Sequence, residues 1–277
     1  MKNVIFISTA LTVTRLVAGQ VAGPQITLDY GTFLGVADSK TGTDSFLGIP
    51  FATAGRLQNP TVFSAANKLA GLQDATKHGP TCPQQELIAS TLSKSNAGKQ
   101  SLLANVEVLT NQNLMNQAED CLSINIQVPQ DYNSSMKLPV MMWIHGGGFE
   151  LGSSGTVGSG STALPGVTYQ GANIVARSVQ MSQPVVFVSA NYRLNAFGSL
   201  AAQEITDAGI ANLLLKDQRT AMHWVQNYIQ NFGGNAFFVI KGCHVLTCTA
   251  RRSKQGDDLR RVVRFHRRCH SHASQQW

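Results

Sequence analysis

The sequence has 277 residues, 43% of them hydrophobic, which is enough for the core of one large or two ordinary domains and excludes a disordered chain. Charged residues make up 13% against about 25% in average usage, a balance that suits a secreted protein better than a cytosolic one. The net charge of +7 does not describe the whole chain: eight of the 22 Lys and Arg and two of the 15 Asp and Glu lie between Arg251 and Arg268, leaving 14 against 13 elsewhere, so a generally nucleic-acid-binding body is excluded.

From the start, Lys2 is followed by an apolar run from Val4 to Val13 and by small residues at Ala18 and Gly19, the order of a secretory signal peptide over residues 1–19. The run is too short for a membrane helix. Next, Gln25 to Tyr30 and Thr32 to Val36 alternate about Gly31 and predict a small antiparallel ribbon at a sheet edge. Phe46 to Phe51 predict a strand halted by Pro50. The sequence Asn133-Ser134-Ser135 is an N-glycosylation sequon in a polar loop.

The central stretch is Leu138 to Gly152. Pro139 suits a strand start, and Val140, Met141, Met142, Trp143 and Ile144 form an apolar run of strand length, as in a strand buried on both faces. His145 and the glycines Gly146, Gly147 and Gly148 follow at its carboxyl end. Glycines at such an edge let backbone N–H groups approach a ligand, and two N–H groups aimed at one point make an oxyanion hole. A glycine triplet is also compatible with a plain flexible loop. Pro184 to Ala190 predicts a second apolar strand. From Asn212 to Asn231, apolar residues at Leu213, Leu214, Ala221, Trp224, Val225, Tyr228 and Ile229 have helical spacing, with Asp217, Gln218 and Arg219 placed on the exposed side. Gly233 and Gly234 stop that helix, and Phe237 to Ile240 begin another strand.

Six blocks in this order, SFLGIPFA with Arg56-Leu57, GPTCPQ around Cys82, EDCLSINIQVP from Glu119 to Pro129, HGGGFELGS from His145, NYRLNAFGSL from Asn191 and LLLKDQRTAMHWVQNYIQNFGG from Leu213, resemble the N-terminal half of type B carboxylesterases and lipases of fungal type. The resemblance implies an α/β-hydrolase fold over residues 20–240, a central mostly parallel sheet flanked by helices and ending after the strand that leads to the nucleophile elbow. It implies a secreted hydrolase acting on hydrophobic ester or lipid substrates by acyl transfer to serine. It also implies Gly147 and Gly148 as oxyanion-hole donors, a Cys82–Cys121 disulfide, and a buried ion pair between Arg56 and Glu119. The segment between the two cysteines, within residues 83–120, resembles the lid of lipase-like members; an ordinary Ω-loop is the other reading. Members need no metal or organic cofactor, and no residue pattern here argues for one. No specific nucleic acid and no membrane span is expected, and the oligomeric state is not legible.

The mechanism of this fold needs a G-x-S-x-G serine after the last strand, with an acid and a histidine further on. Gly242 stands near the first elbow glycine, yet Cys243, His244 and Val245 follow and no G-x-S-x-G occurs downstream. Cys243 and His244 are adjacent on a strand and point to opposite faces, so they do not replace the pair. Ser153 and Ser199 lie outside any elbow context. From Lys241 the apolar pattern stops, and residues 241–277 form a basic tail expected to be disordered, in the manner of a changed reading frame or a retained intron. Its arginines support only nonspecific phosphate attraction, and Cys243, Cys248, His266, Cys269 and His270 lack the short paired spacing of zinc modules. The expectation is an inactive, truncated form of an ester hydrolase; the alternative is a non-catalytic binding or adhesion protein on the same fold.

Overall fold

The structure is a computed structural model that describes residues 23–84, 116–155 and 171–243. The expected signal peptide over residues 1–19, most of the expected lid-like segment between the two cysteines and the expected tail beyond Cys243 lie outside the described residues.

Eleven strands run β1 (Gln25–Leu28), β2 (Gly31–Leu34), β3 (Val36–Asp38), β4 (Thr43–Pro50), β5 (Ala52–Thr53), β6 (Thr61–Val62), β7 (Leu72–Asp74), β8 (Ser123–Pro129), β9 (Leu138–Ile144), β10 (Val186–Ala190) and β11 (Gly234–Cys243). The helices are α1 (Gly171–Gln180), α2 (Asn195–Ser199), α3 (Gln203–Asp207) and α4 (Leu213–Tyr228). The main sheet has the order β11-β9-β10-β8-β4-β3. Over the described residues it is mixed rather than mostly parallel: β11 and β10 flank β9 in parallel, while β10–β8, β8–β4 and β4–β3 are antiparallel. The cause is connectivity. Among the described residues, β9 to β10 and β10 to β11 are joined through helices, the crossover that parallel neighbours require, whereas the short turn from β3 to β4 returns the chain antiparallel.

The expected ribbon forms, with Leu28 opposite Gly31, but it belongs to a separate three-stranded sheet with β7 instead of the edge of the main one. In β4 the register shifts between Phe46 and Ile49, where Gly48 takes φ 70° and lies so close to Gly79 that a side chain would not fit.

The sheet is two-faced. Ile124, Ile126 and Val128 of β8, Val140 and Met142 of β9 and Val186, Val188 and Ala190 of β10 pack with Ala221, Trp224, Val225, Ile229 and Phe232 in one core. Alternate positions turn the other way, so Asn125, Gln127 and Ser189 are buried as a polar layer. β9 is therefore not equally buried on both faces: Val140 and Met142 are sealed against the core, while Met141 and Trp143 are half-buried. Helix α4 lies on the apolar face and is pinned by Trp224 Nε1 donating to the Tyr30 hydroxyl (2.8 Å), which donates in turn to the Pro50 carbonyl (3.0 Å). Asp217 and Gln218 are buried, contrary to the amphipathic reading, and only Arg219 is exposed. A 3-10 turn, Ile229–Phe232, and Gly233 at φ 74° end the helix and return the chain into β11. Among the described residues β11 is the outer strand, and Phe237 on it is 90% exposed.

Candidate functional site

β9, β10 and β11 end side by side: Ile144 is in register with Ala190 and with Cys243. The segments that leave β9 and β10, His145–Gly155 and Asn191–Asn195, therefore meet at one edge of the sheet. This is the carboxyl-end crevice in which open α/β sheets bind ligands.

The His145 imidazole is buried and stacks on the Tyr192 ring at 4.3 Å between centroids. Tyr192 donates its hydroxyl to the His145 carbonyl at 2.8 Å. His145 Nδ1 lies 3.0 Å from the Gly146 carbonyl, which can only accept, so the contact selects the tautomer protonated at Nδ1. Burial pushes the imidazole down to about 4, partly opposed by that backbone hydrogen bond, so at neutral pH the ring is uncharged.

After His145 the chain coils tightly. Gly147 has φ 124°, and its carbonyl accepts from both Glu150 N and Leu151 N at 3.1 Å. A Cβ on Gly147 would overlap the Leu151 carbonyl, and one on Gly152 (φ 121°) would overlap the Gly146 carbonyl and His145 Nδ1. Gly148, at φ 65°, faces open space. Among the described residues, the Gly147 and Gly148 N–H groups donate to no acceptor. Two neighbouring amide donors at the crevice can thus turn to an anionic oxygen of a ligand.

The coil is held from outside. Asn195 N donates to the Phe149 carbonyl at 2.7 Å. Gln84 Nε2 donates to the Gly152 carbonyl at 2.7 Å while its Oε1 accepts from Gly152 N at 2.9 Å. Ser154 N donates to Asn191 Oδ1 at 2.8 Å, and Asn191 Nδ2 donates to the Pro80 and Cys121 carbonyls at 3.0 and 3.1 Å. Asn125 Nδ2 reaches Ser154 Oγ (3.0 Å) and Ser189 Oγ (3.1 Å) beneath. Arg193 is clamped by Asp217 through Nε and Nη2 at 2.7 Å each, and its Nη1 donates to the Gln58 carbonyl at 2.7 Å.

The disulfide Cys82–Cys121 is formed, with Cα atoms 5.0 Å apart. Arg56 and Glu119 form an ion pair, but it is exposed, at 66% and 41% of side-chain area, not buried. Both side chains project from surface loops into solvent, where the hydrogen bonds from the guanidinium still hold the Glu119 carboxyl below its usual range. The buried pair is Arg193–Asp217, which the sequence reading missed. The signal for it was a charged pair in two blocks that each lie within an otherwise apolar pattern. Asn133 is exposed in the β8–β9 loop, its side chain accepting from Ser135 N at 3.0 Å. Ser153 accepts from Gly155 N, and Ser199 donates to the Asn195 carbonyl; among the described residues neither is bonded to a histidine. The backbone of Cys243 ends β11, and His244, Cys248, His266, Cys269 and His270 lie outside the described residues. Among the described residues, no cluster of three metal-ligating side chains and no helix long and apolar enough to cross a membrane is found.

The sequence profile of the carboxylesterase family matches residues 22–239. The chain is 37% identical over 227 residues to Lipase 5 of Diutina rugosa, covering 79% of this chain and 38% of that one. It is 36% identical over 220 residues to Secreted lipase 1 of Botryotinia fuckeliana, covering 78% and 35%. The crystal structure of Aspergillus niger EstA superposes with a TM-score of 0.60 at 29% identity, covering 80% of this chain and 36% of that one. The chain thus spans less than two fifths of the length of the relatives it matches.

Proposed function

This chain belongs to the carboxylesterase family, and on that premise we propose that its crevice is the oxyanion half of a carboxylic ester hydrolase site, Gly147 and Gly148 being the donors. The observation that carries this reading is the pair of amide groups left without an acceptor among the described residues, directly beyond β9. In acyl transfer to serine, such donors stabilise the tetrahedral oxyanion, each worth about 3 to 4 kcal/mol in a working enzyme. Hydrophobic esters or lipids are the substrates that the lipase relatives suggest, and the relative named a secreted lipase, together with the N-terminal pattern, supports export.

The chain carries no G-x-S-x-G after β11, so the donors lack their nucleophile, and in this reading the chain does not turn over esters as it stands. Two measurements test the two halves of the proposal. Butyrate, whose carboxylate stands in for the developing oxyanion, is titrated against the labelled chain; the Gly147 and Gly148 amide resonances move more than other backbone amides, and unmoved resonances would remove the donor role. Hydrolysis of p-nitrophenyl butyrate and octanoate stays at the buffer rate; turnover abolished by a serine-directed inhibitor would show that a nucleophile is present after all.

A further inference from the structure

The coil His145–Gly152 is closed at its far end by one side chain that arrives from a distant part of the chain. Gln84 is buried and grips both hydrogen-bonding groups of Gly152, donating through Nε2 at 2.7 Å and accepting through Oε1 at 2.9 Å. A carboxamide is the neutral side-chain group that can serve a backbone N–H and C=O at once, as a neighbouring strand would. The residue it grips has φ 121°, a conformation with little intrinsic preference, pressed against the Gly146 carbonyl and the His145 ring.

Gln84 is itself immobilised from behind. Its backbone N donates to Gln117 Oε1 at 2.9 Å, Thr81 N donates to the Asn116 carbonyl at 2.8 Å, and Ala118 N returns to the Thr81 carbonyl at 3.1 Å. The adjacent Pro83 carbonyl accepts Asn195 Nδ2 at 3.0 Å, and Cys82 is tied to Cys121. From these contacts we propose that Gln84 is a positioning residue: it sets the path of the glycine coil and so the direction of the Gly147 and Gly148 N–H groups. The role rests on the oxyanion reading of those two amides, but the coupling from Gln84 to the coil can be measured without it.

The test is native-state amide hydrogen exchange on the full chain, comparing residues 145–152 with β10 as the internal reference in each sample. In Gln84→Leu, similar in size but without either hydrogen-bonding group, exchange in the coil rises roughly ten- to a hundredfold over wild type while β10 is unchanged, as expected for losing two neutral hydrogen bonds. Gln84→Glu supplies a rescue. Ionised, the carboxylate cannot donate to the Gly152 carbonyl; protonated, it offers one donor and one acceptor in nearly the carboxamide geometry. Its coil exchange relative to wild type at the same pH therefore falls toward one between about pH 8 and about pH 5, bracketing a carboxyl raised by burial, while the Gln84→Leu ratio stays high throughout. Coil protection at the wild-type level in Gln84→Leu, equal acceleration in coil and β10, or no return of protection in Gln84→Glu would each overturn the positioning role. The butyrate titration reports on the oxyanion reading separately.

Discussion

His145 is neutral because it is buried, and that sets a pH dependence. Its folded-state value of about 4 lies below the usual 6.5, so between those values the unfolded chain binds the proton and the folded chain resists it. The stabilisation is complete above pH 6.5 and is lost as the pH falls toward 4, by about 3 kcal/mol if this residue acted alone. Denaturant unfolding measured from pH 7 to pH 4 reads the slope, and His145→Gln, which cannot protonate, flattens it. Burial depresses His78 as well, so a residual slope of the same sign persists in that variant. The Arg193–Asp217 pair is a second case in which burial decides the sign. Asp217 is fully buried and accepts from the Arg193 guanidinium and from its backbone N. Asp217→Asn leaves a guanidinium without its counter-charge and costs about 3 to 5 kcal/mol, whereas replacing both partners together by Arg193→Met and Asp217→Leu returns most of it. Equal losses for the single and double variants, read as denaturation midpoints, would show that the charge pair itself is the stabilising unit.

At the scale of an element, the glycine coil separates two kinds of requirement. Gly147 needs its missing side chain, because a Cβ there would overlap the Leu151 carbonyl, while Gly148 meets only the cost of a left-handed φ of 65° with open space around it. Gly148→Ala therefore costs about 1 kcal/mol, and Gly147→Ala costs clearly more because the turn accepting Glu150 N and Leu151 N must open. Thermal melts of the two variants give the order, and a reversed order would contradict the coil geometry. Most elements were legible in the sequence from periodicity: the ribbon about Gly31, the strand run into His145, the spacing of α4 and its glycine stop. What periodicity could not show was the reason for a polar residue within an apolar pattern. Asp217 and Gln218 lie inside α4's helical repeat and read as its wet face, because their partners come from elsewhere in the chain, Arg193 being one. The family resemblance implied a buried pair of Arg56 and Glu119, but the pair lies exposed, because burial is a property of the surrounding surface and not of two residues. Ser123, Asn125 and Gln127 alternate with apolar residues along β8, but no local pattern shows that they form a buried layer, which depends on Ser189 and Ser154 arriving over Asn125.

Over the whole molecule, the strand order gathers residues remote in sequence at one crevice: Gln84, His145 to Ser154, Asn191 to Asn195 and, behind them, Asp217. Such an arrangement has a high entropic cost of closure, because few of these contacts are local. The Cys82–Cys121 bond removes part of that cost in advance by joining residues 39 positions apart. In the chain-entropy account, a loop of this length contributes about 4 kcal/mol. The bond also stands where long-range contacts converge, since the Cys121 carbonyl accepts Asn191 and Cys82 leads into Pro83 and Gln84. Both cysteines are buried, so reductant reaches them slowly in the folded state and the informative comparison is the Cys82→Ser, Cys121→Ser variant. Its melting temperature falls on the order of 10 °C for a domain of this size. The β4–β8 pairing does not depend on the disulfide for its register, so it persists in the variant, whereas protection of the coil at Gly152 falls first because its anchor is released. A variant that melts at the wild-type temperature with its coil fully protected would show that the hydrogen bonds of the 80–84 segment hold the crevice without the covalent link.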